Sequence, residues 1–199
     1  MCPLKTRQAF VYNTNLFFAK DMSQSFGKRK SIRLKEFNYS SAGFYFVTIC
    51  TDDKIHLFGK IIDNEVRLNT AGRIAQECWS EIPVHYPRVK LDVFTIMPNH
   101  VHGILIIENH ANTRAQDIVP LQSQYQKTLS GSIGAIVRGY KIGVSKWFQQ
   151  NTQIKDVWQK NYYEHVIRKE ESLLKIQEYI LNNPASWEKD GFFCENYLE

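Results

Sequence analysis

Two histidines, His100 and His102, interrupt an otherwise apolar segment that reads Val-Phe-Thr-Ile-Met-Pro-Asn-His-Val-His-Gly-Ile-Leu-Ile-Ile from Val93 to Ile107. Val93 to Ile96 and Ile104 to Ile107 are β-branched and aromatic runs on either side of Met97-Pro98-Asn99, the pattern of a buried strand, a break, and a second strand entered through the histidines. Alternate residues of a strand share a face, so both imidazoles project together while Val101 turns away. Unpaired imidazoles are costly to bury, and two on one face form a metal-ligand pair.

A second group with chemical potential lies near the C-terminus. Glu171 to Asn183 has a helical pattern, with Leu173, Ile176, Gln177, Ile180 and Leu181 near one face and Pro184 ending the run. Tyr179 and Asn183 are four residues apart, so they stack along the helix edge, at the expected border between core and solvent. A phenol is a nucleophile, and an amide oxygen can be a third metal ligand.

The elements that must position these groups follow in chain order. Phe44 to Thr51 is a strong central-strand signal. Leu57 to Ile62 and Glu65 to Leu68 flank Asp63-Asn64 as a hairpin with a tight polar turn. Thr70 to Ile82 reads as a helix capped by Asn69 or Thr70, with Ile74, Cys78, Trp79 and Ile82 inward. A strand begins near Val89, the His-bearing strand follows, and residues 108–128 are polar and aperiodic, the expected mobile loop. Ser130 or Ser132 caps a further helix whose apolar positions include Ile133, Ile136, Val137, Tyr140, Val144, Trp147 and Phe148. Its other face carries Arg138, Lys141 and Lys146. This order predicts an α+β fold, an antiparallel sheet with helices packed on it.

The chain has 199 residues, enough for one domain with a substantial core, and its 43% hydrophobic content is ordinary for a globular protein. No run is long enough to span a bilayer and the N-terminus lacks a secretion pattern, so a cytoplasmic location is expected. Cys2, Cys50, Cys78 and Cys194 are scattered, which argues against a zinc knuckle or disulfide framework and for reduced thiols.

The net charge of +5 is unevenly spread: residues 1–35 hold eight Lys or Arg against one Asp. Lys28, Arg29, Lys30, Arg33 and Lys35 crowd together as either a solvated tail or a nucleic-acid arm. Contacts from such an arm would be to phosphates and steeply salt-dependent. Residues 1–27 have no clear period and are read as an appendage or disordered tail, leaving residues 28–199 as a single domain.

Several ordered motifs together carry a resemblance. Met97-Pro98-Asn99-His100-Val101-His102-Gly103, Val157-Trp158-Gln159, Tyr162-Tyr163-Glu164-His165-Val166-Ile167-Arg168 and Glu178-Tyr179-Ile180-Leu181-Asn182-Asn183-Pro184 resemble the single-tyrosine HUH transposases. Arg29 to Leu34 and Gly43 to Cys50 add to the likeness, which runs from about residue 28 to about residue 187 and is greatest to the REP-associated tyrosine transposase branch.

The resemblance implies a ferredoxin-like or RRM-like HUH endonuclease fold. It implies cleavage and rejoining of single-stranded DNA by Tyr179 through a 5′-phosphotyrosine, at REP-like hairpins. His100, His102 and Asn183 would hold Mg²⁺ or Mn²⁺, all three as neutral ligands, and the basic face of Arg138, Lys141 and Lys146 becomes a candidate DNA contact.

No nucleotide cofactor is expected, because transesterification retains the bond energy and no Gly-rich phosphate loop is present. A phenol near its ordinary pKa is a poor nucleophile at neutral pH. What activates Tyr179 is open, with Lys175 one candidate if it reaches the ring. Asn99 and His165 have an orienting or structural role. Trp158, Tyr162, Tyr163 and Trp187 either stack on unpaired bases or pack in the core. The branch suggests a monomer, with a dimer as the alternative. Two other readings remain: a non-cleaving DNA or RNA hairpin-binding protein on the same fold, and a metal-dependent hydrolase, for which no acidic general base is apparent.

Overall fold

The structure, a computed structural model, describes residues 41–109 and 131–193. The N-terminal appendage, the basic cluster from Lys28 to Lys35 and most of the 108–128 loop lie outside the described residues.

The core of the fold is a four-stranded sheet. Its strands are β1 (Gly43–Cys50), β4 (Val89–Ile96), β5 (His100–Ile107) and β6 (Tyr163–Ile167), in the order β4-β5-β1-β6, with every neighbouring pair antiparallel. β2 (Gly59–Ile62) and β3 (Glu65–Leu68) form the expected hairpin, with Asp63 and Asn64 both left-handed at φ 51° and 63°. That hairpin is a separate two-stranded sheet and does not extend the main one. β6 was not expected from sequence: it is a five-residue run with mixed polarity, and its pairing with β1 makes it a strand.

Strand alternation divides β1 and β5 into two faces. Tyr45, Val47, Ile49, Val101, Leu105 and Ile107 point to one side, where they join the larger core. That side is covered by α1 (Thr70–Ser80) and α3 (Ile133–Asn151), preceded in chain order by the short α2 (Ile82–His85) in the case of α3. Asn69 caps α1 by accepting from the Gly72 amide, and Ser132 caps α3 by accepting from the Ala135 amide. On the opposite side Phe46, Cys50 and Ile104 meet Ile176, Tyr179 and Ile180 of α4 (Glu170–Asn182). His100 and His102 share this second face, because Cys50 and Thr48 stand opposite them in the register. Among the described residues no helix is long and apolar enough to cross a membrane.

Gly103, between His102 and Ile104, faces the fully buried Trp79. A Cβ there would lie 2.3 Å from the Trp79 ring and 3.0 Å from Phe94 Cβ. Gly103→Ala is therefore expected to cost about 1–3 kcal/mol by overpacking. An unchanged urea midpoint would show that this contact does not constrain β5.

Candidate functional site

The paired histidines enter β5 from the Met97-Pro98-Asn99 turn, and Asn99 fixes the first of them. The Asn99 carboxamide nitrogen donates to the Lys54 carbonyl at 3.1 Å and to the Phe192 carbonyl at 2.9 Å. Its oxygen is therefore the acceptor for His100 Nδ1 at 2.8 Å, which assigns the proton to Nδ1 and leaves a lone pair on Nε2. His102 is held the same way: Nδ1 lies 2.8 Å from the Thr48 hydroxyl, and Nε2 lies 3.2 Å from the Tyr179 hydroxyl. The two rings are 4.3 Å apart between centroids.

α4 brings the other half of the site. Asn183 is the residue at which the helix ends, and it follows Tyr179 by one turn. Its carboxamide nitrogen donates to Asp190 Oδ2 at 2.5 Å, and its oxygen is buried with no hydrogen-bond partner. His100 Nε2 is likewise buried without one. A buried polar atom left unpaired costs about 1–3 kcal/mol, so each of these two acceptors is a position where an electrophile would restore a partner. Two imidazole nitrogens and an amide oxygen form a donor set that suits Mn²⁺ or Mg²⁺.

The structure adds a residue that sequence reasoning missed. The Asp190 side chain is almost fully buried, its Oδ2 is 4.0 Å from His100 Nε2, and the donor atoms of His100, His102 and Asp190 all lie within 4.8 Å of one another. The three expected ligands are neutral, but this carboxylate at their edge gives the cluster a negative charge. No local signal pointed to Asp190, because Pro184 breaks the helix and the chain curls back through a 3-10 turn, Pro184–Lys189. Lys54 donates to the Gly191 carbonyl, and the Phe192 ring lies 4.8 Å from His100 and 5.7 Å from His102.

This returning segment corrects one expectation. Tyr179 and Asn183 are not at a border with solvent; they are only 8% and 1% exposed, whereas Leu181, assigned to the inner face, is 64% exposed.

Burial sets the electrostatics. Desolvation, with smaller contributions from Lys54 and His56, lowers the His100 pKa to about 3, so the imidazole is neutral at physiological pH. Desolvation and then the neighbouring His100 hold His102 well below its ordinary value. Desolvation, followed by the negative charge of Asp190, pushes the Tyr179 phenol well up, partly opposed by a hydrogen bond from Asn183. Tyr179 is therefore a phenol here, not a phenolate. Lys175 is exposed on α4 and is not among the groups that shift it.

The remaining candidates divide. Arg138 and Lys146 are exposed on α3, but Lys141 donates to the Gln159 carbonyl at 2.6 Å and the Asn161 carbonyl at 3.0 Å, and burial lowers its pKa to about 8. It clamps the segment beside β1, where Gln159 donates back to the Cys50 carbonyl. Trp158 packs on Phe58 and Tyr140, and Trp187 lies buried beside His56 and His100. Tyr163 is set edge-on to Phe46, Tyr162 donates to Glu164 at 2.8 Å, and His165 is exposed.

No protein-family model matches the chain. A Haemophilus influenzae protein described as uncharacterized is 48% identical over 171 residues, covering 84% of this chain and 94% of its own length. A second protein of the same organism, named as a candidate REP-associated tyrosine transposase, is 23% identical over 148 residues, covering 74% of this chain and 73% of its own. Among solved structures, a REP-associated tyrosine transposase bound to a REP hairpin superposes with a TM-score of 0.55 at 16% identity, over 78% of this chain and 74% of that one. The antiparallel sheet and the helices packed on it have the fold of the tyrosine transposases. The chain thus resembles the REP-associated tyrosine transposases in both sequence and fold.

Neutral buried histidines make stability depend on pH with a definite sign. Their folded pKa values are depressed, so the contribution is intact above about 6.5, the unfolded value, and is lost progressively as pH falls toward about 3. In chelator, the urea midpoint of the wild type is expected to fall between pH 7 and pH 4 more steeply than that of His100→Gln/His102→Gln. Parallel pH profiles would contradict this account.

Proposed function

We propose that the chain is a metal-dependent single-stranded DNA endonuclease of the transposase type, which cleaves and rejoins DNA at REP-like hairpins. The observation that carries this reading is that His100 Nε2 and Asn183 Oδ1 are both buried acceptors without a partner, in a site where the Tyr179 hydroxyl lies 3.2 Å from His102 Nε2. The likeness of fold suggests the substrate class, since the similar solved structure is bound to a REP hairpin.

In this reading Tyr179 Oη attacks the scissile phosphorus. The P–O3′ bond breaks, the 5′ phosphate stays on Tyr179, and the 3′ oxygen leaves and takes up a proton. His100, His102 and Asn183 would hold a divalent Mg²⁺ or Mn²⁺ ion, with the Asp190 carboxylate within reach. Such an ion polarises a phosphoryl oxygen and stabilises the charge that develops in the transition state. Asn99 and Thr48 hold the imidazoles with their Nε2 atoms turned inward. The phenol proton must leave as attack begins; with His102 Nε2 committed to the ion, water takes it. Rejoining reverses these steps, so no nucleotide cofactor is consumed. The reading includes a monomeric enzyme acting on chromosomal DNA in the cytoplasm.

One feature favours a second reading, a hairpin-binding protein that does not cleave. The segment from Asp190 to Phe192 covers the histidines, and Tyr179 is 8% exposed, so a phosphate reaches the phenol only if that cover moves.

Incubation with single-stranded hairpins from the gene's own flanks and Mn²⁺ or Mg²⁺ separates the two. The first reading expects a covalent protein–DNA adduct on a denaturing gel, absent in Tyr179→Phe and reduced about a hundredfold or more in His100→Ala. Tight binding by folded wild type with no adduct supports the second, and strand scission without an adduct would indicate hydrolysis instead. Asp190→Asn is expected to weaken Mn²⁺ binding by about ten- to a hundredfold, measured by calorimetry without DNA. Unaltered affinity would remove Asp190 from the metal's surroundings.

A further inference from the structure

Beside the histidines lies a cleft of about 600 Å³, within the size range of small-molecule sites. One wall is the β2–β3 hairpin, with Lys60 and Asn64, and the other is the returning C-terminal segment, with Trp187, Lys189 and Phe193. Pro98, two residues before His100, also lines it, so the cleft adjoins the catalytic turn directly.

The rings form a continuous path. Trp187 is 5.9 Å from His100 on one side and 5.4 Å from Phe193 on the other, the second pair meeting edge to face at 77°. Trp187 is buried, whereas Phe193 keeps part of its surface open. Lys60 and Lys189 are exposed, and against them stands one lining carboxylate, Glu188.

We propose that this cleft is a nucleotide subsite, holding the unpaired nucleotide next to the scissile phosphate, with its base against Phe193 and the Trp187 edge and its phosphate between Lys60 and Lys189. The proposal rests on the reading of the chain as a DNA-processing protein and adds where the strand runs. Aromatic surface with flanking cations is what a single strand requires: stacking tolerates any base, and the lysines follow the backbone without reading it. A duplex would present paired bases, which cannot enter a cleft of this size. The occupant is therefore an unpaired nucleotide beside the hairpin.

The test uses the full chain and fluorescein-labelled hairpins from the gene's own flanks, either blunt or carrying an unpaired thymidine flank on the 5′ or 3′ side, followed by anisotropy. The flank on one side is expected to tighten binding about tenfold or more. Phe193→Ala and the Lys60→Ala/Lys189→Ala pair should each lose most of that gain, while their affinity for the blunt hairpin stays within about twofold. Independently of any variant's folding, 5-iodouracil in the flank of wild-type complexes should crosslink to the 187–193 segment. A flank that adds nothing, variants that keep the whole gain, or crosslinks confined to other segments would each overturn the subsite. If flank-dependent binding holds but no tyrosine adduct forms, the cleavage reading fails and the subsite stands. Loss of all DNA binding by folded wild type would end both.

Discussion

The Asn99 side chain ties together three parts of the chain that are far apart in sequence. Its two amide hydrogens go to the carbonyls of Lys54 and Phe192, and its oxygen accepts a hydrogen bond from His100 Nδ1. Once those two carbonyls are satisfied, the amide has only one orientation, and that orientation forces the imidazole lone pair inward. The backbone of the same residue accepts from both the amide and the hydroxyl of Thr51. A single residue thus joins the turn after β1, the entry to β5 and the C-terminal cover. Replacing its amide would leave two carbonyls and an imidazole unpaired together, which is why the site depends on it.

The sheet separates stability from chemistry. The face under α1 and α3 is an apolar core, closed by Trp79 against Gly103. The opposite face has fewer apolar partners and carries the polar cluster within it. Such a cluster is tolerated because most of its atoms are hydrogen-bonded; His100 Nε2 and Asn183 Oδ1 are the buried exceptions. Asp190 ties this cluster to the cover: it accepts from Asn183 and raises the phenol pKa through its charge. The same carboxylate that completes the cluster therefore opposes ionisation of Tyr179 until a positive charge offsets it.

Much of the site could be read locally. Strand alternation put His100 and His102 on one face, and helical spacing put Tyr179 beside Asn183, because both periods are properties of the backbone itself. The β2–β3 turn at Asp63-Asn64 and the caps at Asn69 and Ser132 were legible for the same reason: each is set by residues within three or four positions. The α+β class followed from the order of these elements.

What the sequence by itself determined was which side chains share a face. Tertiary structure alone decided what covers that face. β6 is a strand because β1 offers an open edge, Lys141 is withdrawn from the basic face because the 159–161 carbonyls reach it, and Asp190 enters the site because the chain reverses after Pro184. In each case the partner is distant in sequence, and the contact exists only once the sheet and its helices have closed. The burial that neutralises both histidines and raises the tyrosine pKa has the same origin: no residue carries a low dielectric with it, and only the packing of Phe192 and its neighbours over the rings excludes the water that would otherwise solvate them.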